Sequence, residues 1–180
     1  KWILSHLNTT IKEMTANLDK YELGVASKKL YDFIWDYFCD WYIELVKPRL
    51  FEKDTDSNKR AQQVITYVLT AVLKLLHPFM PFITDEIFSF LPHGEESIVI
   101  SKWPEYREDL VFDNDEKRMA IVMDAIRGVR NLRTQMNVPP SERARITIVS
   151  DDATLFAGTE KYFEKLEGAS ETIREEDTSS

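Results

Sequence analysis

Only one of the 180 residues is cysteine, Cys39. A lone thiol excludes an intramolecular disulfide and a thiolate-rich zinc site, and its place within an apolar aromatic run is that of a buried small hydrophobe in a reducing compartment. Histidine is nearly as scarce. His6, His77 and His93 lie far apart, and none has a second ligand at helical spacing, so no metal site is expected. There is no glycine-rich phosphate loop, nucleophile elbow or dinucleotide fingerprint. Asp36 and Asp40, four apart on a helix, fit a solvated or salt-bridged face better than an acid–base pair. The segment itself therefore reads as non-catalytic, with no cofactor of its own. No run is apolar for long enough to span a bilayer, and Lys1 to Asn8 lacks the signal-peptide pattern, which points to a cytoplasmic protein with no membrane partner. With five glycines and seven prolines few sharp turns are available, and long helices are the consequence.

What is present agrees with a soluble globular chain: 43% hydrophobic and 30% charged residues, with a rich 12% of aromatics to fill a core. The net charge of -8 argues against promiscuous phosphate binding and gives no support for a DNA partner. The charge is uneven, however. Residues 1–53 balance, 54–112 carry four excess acids, 113–150 two excess bases and 151–180 six excess acids. Local basic clusters can still hold phosphates, which favours modest and specific binding.

Leu4, Leu7, Ile11, Met14 and Leu18 fall on one stripe and predict a helix over 2–19. Ala26, Leu30, Phe33, Ile34, Tyr37, Phe38, Trp41, Tyr42 and Leu45 predict a second over 23–46, buried on more than one side, with Lys47-Pro48 as its stop. A solvated loop over 51–58 leads to a third helix over 59–77. The run His77-Pro78-Phe79-Met80-Pro81 breaks it, and Pro81 opens a short fourth helix reaching Leu91. Ile98 to Trp103 is expected as an extended strap. Asp113 and Glu116 have capping-box spacing for a helix reaching about Met136. Beyond Asn137-Val138-Pro139-Pro140, Ala144–Val149 alternates as a strand. Ser150 to Asp152 can cap a helix through about Leu166, and Thr172–Arg174 forms a weak second strand. The fold class expected is mainly α: a helical bundle over 1–110, a small truncated α/β appendage over 111–175, and a frayed tail over 176–180.

Two runs carry a family resemblance. Phe33-Ile34-Trp35-Asp36-Tyr37-Phe38-Cys39-Asp40-Trp41-Tyr42-Ile43-Glu44, followed by Lys47-Pro48, resembles a helix signature of the valyl-tRNA synthetases. Leu75 to Ile87 resembles a segment shared more widely among the synthetases for valine, isoleucine and leucine. Lys1-Trp2-Ile3-Leu4-Ser5, Ser101-Lys102-Trp103-Pro104 and Arg130 to Pro140 also match, in the family's order, over residues 1 to about 150. The resemblance implies the anticodon-binding helical bundle of a class I aminoacyl-tRNA synthetase. It further implies that the parent enzyme joins valine to its tRNA with ATP and magnesium in a catalytic domain lying upstream, and that the parent is a monomer. By the same resemblance one preceding helix and a C-terminal coiled coil of the family lie outside this sequence.

Unpaired anticodon bases are read by stacking and by hydrogen bonds to their edges, while Lys and Arg hold the backbone. Two places in the chain offer such groups. One is the start of the first helix with Trp2, Ser5 and His6. The other is the entry to the third helix with Lys59, Arg60, Gln62 and Gln63, joined by Lys47 and Arg49. Arg127, Arg130 and Arg133 recur every third residue as a basic stripe that suits a tRNA stem. Blander roles stay open for each: Trp2 as a cover over apolar surface, His6 as a solvated ring, Lys59 and Arg60 as helix-start charges, Gln62 and Gln63 as surface amides, and the arginines as salt-bridge partners. The aromatic run from Phe33 to Tyr42 is expected in the core. A helical protein-interaction module, or the equivalent domain of an isoleucyl- or leucyl-type synthetase, is the alternative to the valyl assignment.

Overall fold

The computed structural model describes residues 1–53, 55–139, 141–150, 153–159, 162–164 and 169–176. The described elements are mainly helical. The chain divides into two compact units, Lys1–Asp113 and Asn114–Ser180.

In the first unit, α1 spans Trp2–Asp19 and buries Ile3, Leu7, Ile11 and Met14 along the stripe that the sequence marks. Its last carbonyls are closed by a Schellman pair, Tyr21 N–H to Leu18 O at 2.9 Å and Glu22 N–H to Asn17 O at 2.9 Å. Tyr21 takes the left-handed conformation that this turn needs, with φ of 61°. The turn leads into one continuous rod made of α2 (Leu23–Asp32), a π-helical stretch (Phe33–Ile43) and α3 (Glu44–Phe51). In the π stretch each amide reaches one residue farther back than in an α-helix, so side chains five apart come onto one side. Phe33 and Phe38 have that spacing and both are buried, with Trp41 and Tyr42. The expected core placement of the run holds for these four, whereas Tyr37 is half-buried and Trp35 is 51% exposed, and the wider winding is not what the sequence implies.

Pro48 does not end the rod, contrary to the sequence expectation. It lies inside α3, which continues to Phe51. A proline there removes one amide donor and leaves carbonyls open. The last carbonyls of the helix are closed by the buried Asn58, its Nδ2 donating to Arg49 O at 3.0 Å and to Leu50 O at 2.8 Å. Asn58 in turn belongs to the first turn of α4 (Asp56–Leu76), where its own N–H donates to the Thr55 hydroxyl at 3.0 Å. That N-cap, with Asp56 beside the positive end of the helix dipole, explains why α4 begins three residues earlier than its apolar periodicity suggests.

The helix α4 buries Ala61, Val68, Ala71, Val72 and Leu75 against α1 and the rod. Pro81 opens α5 (Pro81–Ser89), whose buried Thr84 hydroxyl lies 2.7 Å from the His77 ring Nδ1. The expected strap starts as a 3-10 turn at Ile98–Ile100, with Ile98 packed against Leu73 and Phe88, and extends only afterwards. Three contacts then lay it along α1. The Trp103 indole donates to the Thr15 hydroxyl at 2.9 Å, Asn8 exchanges two 2.8 Å bonds with the Arg107 backbone, and Phe112 N–H donates to the Ser5 hydroxyl at 2.9 Å.

In the second unit, α6 (Asp113–Gln135) buries Met119, Val122, Met123 and Ile126. The strands β1 (Ala144–Ser150) and β2 (Ala169–Glu176) pair in parallel, Ser150 opposite Glu176, so β2 is longer than the expected Thr172–Arg174 and takes in the first residue of the expected tail. Asp151, Asp152 and residues 177–180 lie outside the described residues. The single helix expected up to Leu166 is replaced by a 3-10 turn at Ala153–Phe156 and a separate helical piece at 162–164. Gly158 interrupts them with φ of 77°, a conformation that no helix interior accepts. Phe156 and Phe163 are buried with ring centroids 6.3 Å apart.

The bridge made by Asn58 should be worth more than the cap beside it. Replacing Asn58 with Ala leaves two carbonyls of α3 without their donor and should cost roughly 2–3 kcal/mol, against about 1 kcal/mol for Thr55→Ala. Urea unfolding followed by circular dichroism checks this; equal losses for the two variants would contradict the role given to Asn58.

Candidate nucleic-acid interface

The direction of the helices decides which sequence-predicted residues can act together. The rod runs antiparallel to α1: Lys29 pairs with Glu13 at 2.8 Å, the Tyr37 ring stacks on His6 at 4.2 Å, and Tyr42 meets Trp2 edge-on at 5.9 Å. Phe51, nine residues past Tyr42, therefore lies roughly 13 Å beyond the start of α1 at 1.5 Å per residue. The helix α4 begins at that same end and returns parallel to α1, since Trp103, bonded to Thr15, also borders Ala71 and Lys74 in a groove of about 360 Å³. Trp2, His6, Lys47, Arg49, Lys59, Arg60, Gln62 and Gln63 thus share one end of the bundle.

Their environments differ. Trp2 is half-buried between Tyr42 and His6, the latter edge-on at 6.0 Å, and His6 is clamped between Trp2 and Tyr37. Ser5 is buried and its hydroxyl accepts the Phe112 amide, so it faces the strap and not solvent. Arg49 is spent on the frame, Nε donating to the Ser57 hydroxyl at 2.9 Å and Nη2 to Ser57 O at 3.0 Å. Lys47 is exposed beside Glu44, with which it forms an ion pair. Lys59, Arg60, Gln62 and Gln63 are exposed; Arg60 leans on Asp56 O at 3.3 Å and Gln62 donates to Asn58 Oδ1 at 2.9 Å.

Phe51 is the residue that periodicity overlooks at this end. The loop Phe51–Asn58 reads as solvated in the sequence, and the ring is 80% exposed next to the exposed Lys53. An aromatic placed after a proline-containing helix end and before a lysine is the signal that was available. The exposed ring shares this end of the bundle with the exposed cations Lys47, Lys53, Lys59 and Arg60 and the exposed carboxylates Glu52 and Asp56, and it offers an open π-face of the kind that stacks on an unpaired base.

The arginine stripe of α6 belongs to the other unit and is not uniform. Arg127 pairs with Asp124 at 2.8 Å, and Arg133 closes the following loop by donating to Pro139 O at 3.0 Å and Glu142 O at 2.6 Å. Arg130 is exposed. At Cys39, burial and the neighbouring Asp40 push the thiol up, the opposite of what a nucleophile needs. Among the described residues no group of three His, Cys, Asp or Glu side chains has a metal-binding arrangement, and no helix is long and apolar enough to cross a membrane.

Comparison with known proteins gives this end of the bundle a context. The family described as the anticodon-binding domain of tRNA ligase matches residues 1–148. A valine–tRNA ligase of Clostridium tetani is 52% identical over 171 residues, 94% of this chain and 19% of the relative. One of Clostridium perfringens is 50% identical over 173 residues, 95% of this chain and 20% of the relative, and one of Carboxydothermus hydrogenoformans is 48% identical over 157 residues, 86% and 18%. The chain thus spans about one-fifth of the length of the valine–tRNA ligases it matches. With the family match covering the whole helical bundle and most of β1 besides, the chain belongs to the anticodon-binding domain family of tRNA ligases.

Proposed function

We propose that this chain is the tRNA-holding part of a valine–tRNA ligase, and that it grips the anticodon arm at the bundle end formed by the start of α1, the end of α3 and the start of α4. The observation that carries the reading is the convergence there of an exposed ring, Phe51, with the exposed cations Lys47, Lys53, Lys59 and Arg60 and the amide of Gln63. In the proposed mechanism the cations hold loop phosphates, Phe51 stacks on one splayed base, and the Gln62 and Gln63 amides meet base edges. Trp2 and His6 form the rigid aromatic floor behind them, and Ser5 and Arg49 keep the frame in register. On the second unit, stem phosphates are assigned in this proposal to Arg127 and Arg130.

Under this proposal the remainder of the polypeptide activates valine with ATP and magnesium as an adenylate and transfers it to the terminal ribose of the tRNA. The present segment contributes identity and placement, holding a distant feature of the tRNA so that the acceptor end reaches the catalytic domain. The setting is cytoplasmic and the parent a monomer. The similarity to valine–tRNA ligases at about half identity favours valine tRNA over the isoleucine or leucine equivalents.

Binding of valine tRNA transcripts with altered anticodons, at one fixed salt concentration, tests the reading. Wild-type transcript should bind roughly tenfold or more tightly than anticodon-altered ones, about 1.4 kcal/mol per decade; equal affinity for all would sink it. The two kinds of contact also separate in variants. Arg60→Ala should lower the slope of log affinity against log salt by about 0.7–0.9, one phosphate's share. Phe51→Ala should leave that slope alone and weaken binding by about 1–3 kcal/mol. A slope unchanged by Arg60→Ala, or full affinity in Phe51→Ala, would remove that side chain from the interface.

A further inference from the structure

The middle of the bundle carries a groove that stands apart from the Phe51 end. Tyr67, Thr70, Ala71 and Lys74 follow one another at helical spacing along one face of α4, and the strap from Lys102 to Arg107 borders them, leaving about 360 Å³ between the two. The strap is fixed on both sides of this space. The Trp103 indole donates to the Thr15 hydroxyl at 2.9 Å, and the Arg107 backbone amide and carbonyl each bond the Asn8 side chain at 2.8 Å. Trp103 also packs on the main core cluster, so one side of its ring is held while another borders the groove. Anchored walls keep their shape without a ligand, which lowers the cost of filling the space between them.

The lining combines two kinds of group. Trp103 and the 41% exposed Tyr67 supply aromatic surface beside the small Ala71, and Lys74, Lys102 and Arg107 supply cations. Glu95 holds Lys74 at 2.6 Å, and Asp109 takes the Nε and Nη2 edge of Arg107 at 3.0 and 2.6 Å. Asp109, and more weakly Tyr67, push the Arg107 guanidinium above its ordinary range, which sets the Tyr67 phenol beside that charge. Lys102 is exposed, and Glu105 is the carboxylate among the lining residues. With Glu95 and Asp109 already answering two of the cations, a bare inorganic anion gains little here and leaves the ring surface unused. A purely apolar ligand leaves Lys102 and Glu105 without partners. We propose that this groove binds a single nucleotide, its base against Trp103 and Tyr67, its phosphate on Lys102 and Arg107, and its amino or hydroxyl groups donating to Glu105. A volume at the small end of ligand sites suits one such unit. The nucleotide is either free or one member of a bound RNA strand, since the recognised chemistry is the same. The site does not depend on what the Phe51 end binds.

Photolabelling of the full-length protein with 8-azidoadenosine 5′-monophosphate, with labelled peptides mapped by mass spectrometry, tests this site. Labelling within residues 67–74 or 102–107 should saturate with probe, fall several-fold on adding excess AMP, and hold on adding inorganic phosphate at the same concentration. Lys102→Glu, at an exposed position, should lower it at least several-fold with an unchanged circular dichroism spectrum, and Lys102→Arg, which keeps the charge, should leave it nearly as it is. Competition by the anticodon-arm hairpin of valine tRNA would make the occupant a unit of RNA, and labelling indifferent to that hairpin would make it a free mononucleotide; both results support the site. Absence of saturable labelling in these two segments, equal competition by inorganic phosphate, or undiminished labelling of Lys102→Glu would overturn it.

Discussion

Asn58 fastens two helix ends to each other with one side chain. Its amide donates to the Arg49 and Leu50 carbonyls that terminate α3, while its backbone is held by the Thr55 cap that starts α4. Arg49 reinforces the joint through Ser57. The last carbonyls of α3 would otherwise lack donors, and the helix end that carries Phe51 would be free to fray. With the joint made, Lys47, Phe51, Lys59 and Arg60 stand on two rigid helices and not on a mobile loop. A site that must select one RNA loop gains from that pre-ordering, because less freedom is lost on binding.

The bundle changes character along its length. Near the Phe51 end Trp2, His6 and Tyr37 are half-buried beside the buried Tyr42, and charge faces outward. Along the middle, the strap is pinned to α1 by Trp103, Arg107 and Phe112, each through a polar side chain of the helix. At the far end α5 presents apolar side chains within an acidic rim.

Much of the fold was legible because its signals are local. The stripe from Leu4 to Leu18 defined α1 to its ends, and Pro81 with the preceding His-Pro run placed α5. What was illegible depends on partners far away in sequence. Pro48 looks like a stop, yet α3 runs on to Phe51, where Asn58 from the next helix closes its last carbonyls. Ser5 looks like a surface hydroxyl until the Phe112 amide reaches it across the whole unit. Arg133 looks like part of a phosphate-binding stripe until Pro139 and Glu142 claim its guanidinium. The π winding of Phe33–Ile43 leaves the same residues in the core as an α-helix does, so the hydrophobic pattern could not announce it. In the candidate site, sequence named segments that the fold brings to one bundle end but passed over Phe51, because the polar loop following it hid a ring that tertiary structure leaves bare.

The central claim is that the anticodon loop lies on the end formed by α1, α3 and α4. Photocrosslinking of valine tRNA carrying a photoreactive base in its anticodon loop, mapped by peptide mass spectrometry on the full-length protein, tests it most directly. The account predicts crosslinks within residues 2–6 and 47–63, with competition by unmodified valine tRNA. Crosslinks concentrated on α5 or on the strap, with none in those two segments, would contradict it.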